Sequence, residues 1–248
     1  MKNYQNMVND VIKEADILLL LLDARFVEET MHVGIENKAK RENKPLIYVI
    51  TKSDLVDTSQ AAYKKLNHPC VFVSAKMHQG LGLLRQAILV EAQRNHLDNP
   101  IVGVLGYPNV GKSSLINALK GHQSASTSCE SGHTRHIQKI KIDNRITLLD
   151  APGTIPYTEK NKNTHAMIGA IDFNKAEEPD LVVMELMLKF PGRIEAYYDV
   201  GTDADDEQRI LDIGKKNNIL KKGGEPDLLR TSRVILKDWQ MGKISELI

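Results

Sequence analysis

A glycine-rich segment in the middle of the chain has the residue types and the spacing that bind phosphate. Its sequence, GYPNVGKS from Gly106 to Ser113, matches the pattern GxxxxGK[ST], in which backbone amides surround the phosphates of a nucleotide. Lys112 is predicted to reach the terminal phosphates and Ser113 to ligate Mg²⁺. The other predicted contacts of this loop are Asn109, Val110, Gly111 and Ser114. A chance glycine-rich turn is the alternative, and the strand before the loop and the helix after it argue against that alternative.

A second phosphate-side motif follows the apolar run 146–149, which ends in Asp150-Ala151-Pro152-Gly153. The Asp150 carboxylate is predicted to hold Mg²⁺, usually through water, and the Gly153 amide to sense a γ-phosphate. In isolation DxxG is also a common turn. Its pairing with the upstream phosphate loop favours the magnesium-side interpretation.

The polar stretch 123–136 lies between these two motifs and fits neither helix nor strand. We predict a loop that closes on Mg²⁺ when a triphosphate is bound. Thr134 is the predicted hydroxyl ligand because it directly precedes the next apolar run, and Thr127 is the alternative. A solvated loop without a ligand remains the third interpretation.

Two earlier motifs could recognise a guanine base. In Thr51-Lys52-Ser53-Asp54 the Asp54 carboxylate could accept from the ring N1–H and the 2-amino group, while the Lys52 stem covers the ring. Ser74-Ala75-Lys76 offers a backbone amide to the guanine carbonyl. Alone, the first motif could be a helix cap and the second a chance match. Both follow apolar runs, and α/β sheets bind ligands at the carboxyl ends of such strands.

The elements that must position these motifs are short apolar runs that alternate with stretches of helical spacing. This alternation predicts an α/β fold, with a mostly parallel sheet covered by helices. Only Asp143-Asn144-Arg145 separates the last two runs, which predicts a hairpin and one antiparallel edge strand. The six predicted strands are Ile17–Leu22, Leu46–Ile50, Val71–Val73, Ile101–Leu105, Ile137–Ile142 and Ile146–Leu149.

Beyond about residue 157 the strand signals stop, and the pattern becomes helical. We therefore predict two domains, residues 1–158 and residues 159–248. Pro179 and Pro226 suit first helical positions. The predicted helices of the second domain are Pro179–Phe190, Ala204–Asn217 and Pro226–Trp239.

In this chain the base motifs precede the phosphate motifs, whereas in ordinary GTPases they follow them. The set TKSD, SAK, GYPNVGKS, SGHT and DAPG resembles the circularly permuted GTPases of ribosome assembly, the YlqF/RbgA and YawG-like group. The resemblance covers nearly the whole chain. Asp23-Ala24-Arg25 looks like that family's DAR segment, although Phe26-Val27 replaces its usual isoleucine–proline. Segments 223–227, 238–239 and 242–244 are similar to its C-terminal signature.

The resemblance implies a P-loop GTPase domain in which the connector 94–100 bridges the ancestral ends. It implies GTP and GDP as ligands with Mg²⁺, and hydrolysis that depends on Lys112, Thr134 and Gly153. It also implies loss of a water-orienting glutamine, because Thr154 follows Gly153, and therefore slow turnover. Asn109 matches an asparagine associated with K⁺ in related GTPases, and a simple turn role is its alternative.

The resemblance further implies a ribosomal subunit or its precursor, more specifically the large subunit, as partner through RNA. Residues 157–212 carry six basic and 13 acidic residues, whereas residues 213–243 carry eight basic and three acidic ones. Arg230, Arg233 and Lys237 share one face of the last predicted helix, and RNA contact competes there with a plain solvated face. A GTP-bound RNA scaffold with negligible hydrolysis is the alternative function. An ATPase is disfavoured by TKSD.

The composition and the charge disfavour several classes of protein. The formal charge of +1 gives no global basic field, and the longest apolar run, Ile17–Leu22, falls far short of the roughly 20 residues that span a bilayer. The two cysteines, Cys70 and Cys129, have no metal or disulfide spacing. We therefore expect a cytoplasmic monomer without a membrane partner or a metal cluster.

Overall fold

A computed structural model describes residues 4–59, 66, 69–121, 137–153, 155 and 161–245. The chain divides into two compact units, Met1–Glu159 and Lys160–Ile248. Thr134 and its alternative Thr127 lie outside the described residues, as does Thr154.

The first unit is built on one six-stranded sheet in the order β3-β2-β1-β4-β6-β5. Neighbouring strands pair in parallel except β5, which is antiparallel to β6. This arrangement confirms the predicted fold class. The strands are β1 Ile17–Asp23, β2 Leu46–Thr51, β3 Cys70–Val73, β4 Ile101–Gly106, β5 Gln138–Lys141 and β6 Thr147–Asp150.

Four α-helices accompany the described part of this sheet. Helix α1 contacts β4, α3 contacts the three strands β1 to β3, and α4 contacts β4 and β6. Helix α3 ends at Arg94 and β4 begins at Ile101, so a short connector joins a helix that packs on the sheet to one of its strands. The bounds are α1 Tyr4–Glu14, α2 Val33–Arg41, α3 Leu81–Arg94 and α4 Lys112–Lys120.

Strand β1 lies at the centre of the sheet, which explains its unbroken apolar sequence. All seven of its residues are buried, because β2 and β4 flank it and both of its faces are covered. Alternate residues of the strand, Leu18, Leu20 and Leu22, lie in one core cluster with residues of α1 and α2. The edge strand β5 is mostly exposed and correspondingly polar.

In its described part the second unit is helical, and its last helix packs against two others. Helix α9 contacts α6 and α8, and its Trp239 is fully buried with its ring centre 4.8 Å from that of Phe190. The helices are α5 Lys162–Met167, α6 Pro179–Lys189, α7 Arg193–Tyr198, α8 Asp206–Lys216 and α9 Leu228–Gln240.

The two prolines predicted at first helical positions differ in outcome. Pro179 does open α6. The prediction for Pro226 was wrong, because α9 begins two residues later. The Asp227 carboxylate accepts the Arg230 amide at 3.1 Å and so caps the helix, while Pro226 forms an isolated β-bridge with Leu220.

Candidate nucleotide-binding site

The strand order brings the predicted motifs to one edge of the sheet. The chain runs from β1 to β2 and β3 on one side, whereas β4 lies on the other side of β1. This reversal opens a crevice at the carboxyl ends of β1 and β4, where open α/β sheets bind ligands. The SAK, TKSD, DAR, phosphate-loop and DAPG motifs follow β3, β2, β1, β4 and β6 in that order across the edge.

The phosphate loop has a backbone suited to anions. Asn109 and Gly111 have left-handed φ angles of 57° and 109°, and Gly111 is the N-cap of α4. Such turns direct successive amides toward a common centre beside a positive helix end. Asparagine tolerates this conformation well, so the turn role of Asn109 agrees with its geometry.

Lys112 lies inside this loop rather than in solvent. Its side chain is buried, and its ammonium donates to the backbone carbonyls of Gly106 at 3.1 Å and Tyr107 at 2.6 Å. Burial lowers the pKa of Lys112 to about 8, although the nearby Asp150 carboxylate acts in the opposite direction. The group is therefore still largely cationic at neutral pH and sits where a phosphate would need it.

The first turn of α4 and the end of β6 carry Ser113 and Asp150, two of the three predicted magnesium ligands. Ser113 and Ser114 are exposed at the start of α4, whereas Asp150 is buried. A carboxylate and a hydroxyl are the hard oxygen donors that Mg²⁺ prefers, so the chemistry of this donor set fits the ion.

Gly153 brings the DAPG segment into contact with the phosphate loop. A Cβ at this position would lie 2.6 Å from the backbone nitrogen and Cα of Pro108, and 2.7 Å from Nζ of Lys112. Contacts that short do not occur for real side chains, so no residue larger than glycine fits without movement. The backbone predicted to sense the γ-phosphate therefore touches both the loop and its lysine.

We expect Gly153→Ala to lower the affinity for GTP about tenfold relative to GDP, because the added methyl must displace Pro108 or the Lys112 ammonium. Titration with fluorescent GTP and GDP analogues measures this ratio. Gly82→Ala is the matched control, since a Cβ at that glycine meets nothing within 4 Å. An unchanged ratio in the Gly153 variant would remove this residue from γ-phosphate sensing.

Thr51 joins the base motif to the phosphate loop. It is buried at the end of β2, and its hydroxyl oxygen lies 2.9 Å from the Leu22 carbonyl and 2.6 Å from the Val110 carbonyl. The Val110 contact fixes the distance between the two halves of the site. Sequence reasoning gave Thr51 a nucleotide contact and missed this link, which depends on two strands that are not neighbours in the chain.

Asp54 and Ser74 bring the two base motifs together. The Ser74 hydroxyl donates to Oδ1 of Asp54 at 2.6 Å and accepts the Met77 amide at 3.0 Å. Asp54 lies half-buried in the 3-10 turn Ser53–Leu55, which has no side-chain cap. The helix-cap alternative for TKSD therefore does not describe this turn. The carboxylate is instead oriented by SAK, whose Ala75 is half-buried and Lys76 exposed.

Gly80 closes the SAK turn and was missed by sequence reasoning. Its φ is +75°, and a Cβ there would lie 1.9 Å from the Phe72 carbonyl oxygen. A paired bridge between Ser74 and Gln79 completes the turn before α3 begins. The available signal was a glycine just before a stretch of helical spacing.

The cationic residues of α9 lie in the second unit. Arg230 and Lys237 are exposed and Arg233 is half-buried, while Nζ of Lys237 lies 5.8 Å from the centre of the Phe173 ring. The buried Asp238 carboxylate on the same helix accepts from the Tyr198 hydroxyl at 2.8 Å and pairs with Lys243 at 2.7 Å. That acid is therefore engaged with other partners.

The part of the chain that the structure describes contains neither a membrane-spanning helix nor a cluster of metal-ligating side chains. No helix there is both long and apolar enough to cross a bilayer. No group of three or more His, Cys, Asp or Glu side chains in the same residues could hold a metal ion.

Comparison with known proteins places both halves of the chain among GTPases. The family model described as 50S ribosome-binding GTPase matches residues 101–219, and the model described as RsgA GTPase matches residues 36–157. A GTP-binding protein of Methanocaldococcus jannaschii is 37% identical over 97% of this chain and 66% of its own length. Nucleolar GTP-binding protein 2 of Yarrowia lipolytica is 31% identical over 98% of this chain and 50% of its own.

The chain thus spans about half to two thirds of the length of these relatives. Among solved structures, GNP-bound YlqF from T. maritima superposes with a TM-score of 0.67 at 21% identity, over 98% of this chain and 95% of that one. The GDP-bound form gives 0.69 at 20% identity, over 96% and 95% of the two chains. At this identity the likeness is one of fold, and it extends over nearly the whole of both chains. The chain belongs to the P-loop GTPases, with its motifs in circularly permuted order and with the fold of YlqF.

Proposed function

We propose that this protein binds GTP, hydrolyses it to GDP and phosphate, and acts as a switch in the assembly of the large ribosomal subunit. The observation that carries the nucleotide part is the joined edge of the sheet. The end of β2, which leads into the turn of Asp54, is held to the phosphate loop after β4 by the hydrogen bond from the Thr51 hydroxyl to the Val110 carbonyl. A guanine-reading carboxylate and a phosphate cradle thus share one rigid frame.

Each group of residues has its own role in binding and hydrolysis. Asp54 accepts from the guanine edge, the loop amides bind the phosphates, and Lys112 neutralises the charge that develops on the transferred phosphoryl group. Mg²⁺, when held by Ser113 and Asp150, supplies further neutralisation of the phosphates. Because residue 154 is a threonine rather than a glutamine, intrinsic turnover is proposed to be slow and to need a partner.

Measurement of phosphate release with GTP and with ATP, each with and without large ribosomal subunits, tests this proposal. We expect slow release from GTP, none from ATP, and acceleration by the subunits. Tight GTP binding with no release in either condition would support the alternative of an RNA scaffold that keeps GTP as a structural ligand. K⁺ dependence, the monomeric state and a cytoplasmic location stay predictions.

A switch needs a route from the γ-phosphate to the rest of the molecule, and the first unit contains the beginning of one. Gly153 touches Pro108 and Lys112. Two residues further on, Ile155 lines a cavity of about 470 Å³ together with residues of α1 and α2, Val8 and Ile35 among them. A shift of the Gly153 backbone would therefore change how Ile155 packs beside these two helices.

A ribosomal partner is proposed from two independent supports. The matched family model is described as ribosome-binding, and the relatives include nucleolar GTP-binding proteins. The described surface of α9 presents Arg230 and Lys237 to solvent beside the half-buried Arg233. Exposed cations on one helix face suit contact with RNA phosphates, and such contacts do not depend on the RNA sequence.

We expect replacement of Arg230, Arg233 and Lys237 by alanine to flatten the salt dependence of binding to large ribosomal subunits. Each phosphate contact adds close to one unit to the slope of log K against log salt, so the loss should be roughly two to three units. GTP affinity should stay nearly unchanged. Wild-type protein should also bind the subunits more tightly with a non-hydrolysable GTP analogue than with GDP, by about 1–3 kcal/mol.

Co-sedimentation at several salt concentrations measures both effects. The matched control replaces Arg94, Lys120 and Arg145, three exposed cations of the first unit, and should leave the salt slope unaltered. Unaltered binding in the α9 variant would remove RNA from this face. Equal binding in the two nucleotide states would remove the switch and favour the scaffold.

A further inference from the structure

A buried group of three charged side chains lies beside the base motif. Asp23 ends β1 and stands opposite Thr51 in the register of β1 and β2, so it is adjacent to Lys52. Its side chain is completely inaccessible to solvent, and that of Arg25 is 1% exposed. Burial of a carboxylate is costly unless cations and hydrogen bonds compensate for its lost hydration.

Two cations compensate the negative charge of the Asp23 carboxylate. Its Oδ1 accepts from the backbone amide and from Nε of Arg25, both at 3.1 Å, and its Oδ2 accepts from Nη2 of Arg25 at 3.0 Å. The same Oδ2 accepts from Nζ of Lys52 at 2.7 Å. Although burial alone would raise it, these two cations hold the pKa of Asp23 far below its ordinary value. The carboxylate is therefore ionised throughout the neutral range.

The chain around Asp23 is fixed as well. The Asp23 amide donates to the Thr30 hydroxyl oxygen at 3.1 Å, and that hydroxyl donates to the Phe26 carbonyl at 2.6 Å. The bidentate pair with Arg25 is a geometry that restricts both groups. Asp23 thus presents Oδ2 to Lys52 from a rigid position.

Lys52 is held at both of its ends. Its backbone has a left-handed φ of 54°, uncommon for a residue with a long side chain, and it caps the 3-10 turn that carries Asp54. Its ammonium is fixed on Asp23. The methylene stem between these two points must cross the ends of β1 and β2 beside the Asp54 carboxylate. Burial lowers the pKa of Lys52, and Arg25 adds to that effect, while Asp23 opposes both.

We propose that Asp23 and Arg25 are positioning residues for the nucleotide base, which hold the Lys52 stem as one wall of the base pocket. This inference rests on the proposed base site at Asp54. Arg25 neutralises and orients Asp23, and Asp23 then retains Lys52 against the repulsion between the two cations. Without the carboxylate the Lys52 ammonium would move to water and take its stem off the base. The DAR segment is thereby given a role at the base rather than at the phosphates.

A double-mutant cycle on Asp23→Asn and Lys52→Met tests the inference. Lys52→Met keeps an apolar side chain but cannot bind Asp23. We expect each single variant to weaken GDP binding about tenfold and the double variant to be no weaker than either one, since neighbours in one network couple by this amount. GDP, IDP and XDP should weaken by the same factor, because the edge-reading Asp54 is untouched while the wall over the ring is lost.

A purely structural role predicts a different result. Asp23→Asn would then lower the midpoint of thermal unfolding. It would also either leave GDP affinity unchanged or weaken it by the same factor in the wild-type and the Lys52→Met backgrounds. Either of these affinity results would overturn the inference. Should Asp23→Asn fail to fold, Arg25→Gln replaces it, since that variant leaves the carboxylate and Lys52 in place. A smaller loss of affinity is then expected, and its persistence in the Lys52→Met background would equally overturn the inference.

The second unit offers a matched control. Glu195 is buried, with its side chain 1% exposed, and forms an ion pair with the half-buried Arg209 at 2.6 Å. Glu195→Gln should lower the unfolding midpoint and leave GDP affinity intact, which separates lost stability from lost binding. The base site itself is checked by Asp54→Asn. No effect of Asp54→Asn on GDP would show that the site is misplaced, whereas a normal Asp54 effect without Asp23–Lys52 coupling would refute only the positioning role.

Discussion

Lys112→Ala is expected to reduce nucleotide affinity by about 3–5 kcal/mol, the cost of leaving a buried charge without its partner. The phosphates would lie in a loop whose only buried ammonium among the described residues 101–121 is gone. Isothermal titration with GDP and GTP measures the loss. The nucleotide-free variant should unfold close to the wild-type temperature, because burial of the Lys112 ammonium carries its own desolvation cost, as its lowered pKa shows.

Two companion variants sharpen this result. Ser113→Ala should weaken binding in the presence of Mg²⁺ and change it little in EDTA, since the hydroxyl is proposed to act through the ion. Lys120→Ala removes an exposed cation from the other end of α4 and should change neither. If Lys112→Ala and Ser113→Ala both hydrolyse GTP at the wild-type rate, the active site lies elsewhere.

Asp54→Asn is expected to weaken GTP binding at least about 100-fold and to improve binding of xanthosine triphosphate, since charged hydrogen bonds to the base are lost. The 2-oxo group of xanthine needs a donor, which the asparagine amide supplies. The structure favours a folded variant, because Ser74 donates to Oδ1 of Asp54. An asparagine Oδ1 can accept the same bond and leave its NH₂ for the base.

Competition between fluorescent GDP and unlabelled GTP, XTP or ATP measures this change of preference. Asp57→Asn is the matched control, an exposed aspartate three residues further on whose carboxylate accepts the Ser59 amide at 2.9 Å. An equal loss for every purine nucleotide would point to misfolding instead. Unchanged GTP affinity would remove Asp54 from the base site.

The strands and the motifs at their ends were predictable because each depends on a short local pattern. An unbroken apolar run such as that of β1 predicts a central strand, and the residue types after it indicate the chemistry. The contacts between motifs were not predictable in the same way. The Ser74–Asp54 bond requires the pairing of β2 with β3, and the Lys52–Asp23 pair requires the register of β1 and β2. Such pairings join residues that are distant along the chain.

A local rule also failed where two local signals competed. Pro226 satisfies the preference for proline at the first helical position, yet Asp227 is the stronger N-cap and sets the start of α9. The adjacent Leu220–Pro226 bridge gives the proline another place. Gly80 was missed for a different reason. The carbonyl that excludes a side chain there belongs to Phe72 in β3.

Strands β1, β2 and β3 are neighbours in the sheet as well as in the chain, and β4 joins them only afterwards, on the far side of β1. During synthesis the half that carries Asp54 and Ser74 is therefore made before Lys112. That half can form its pairings from sequential strands, which lowers the entropy cost of loop closure. Nucleotide can stabilise the nascent chain only once β4 has been inserted beside β1. In this motif order a GTP molecule can complete the folding of the domain, but it cannot start it.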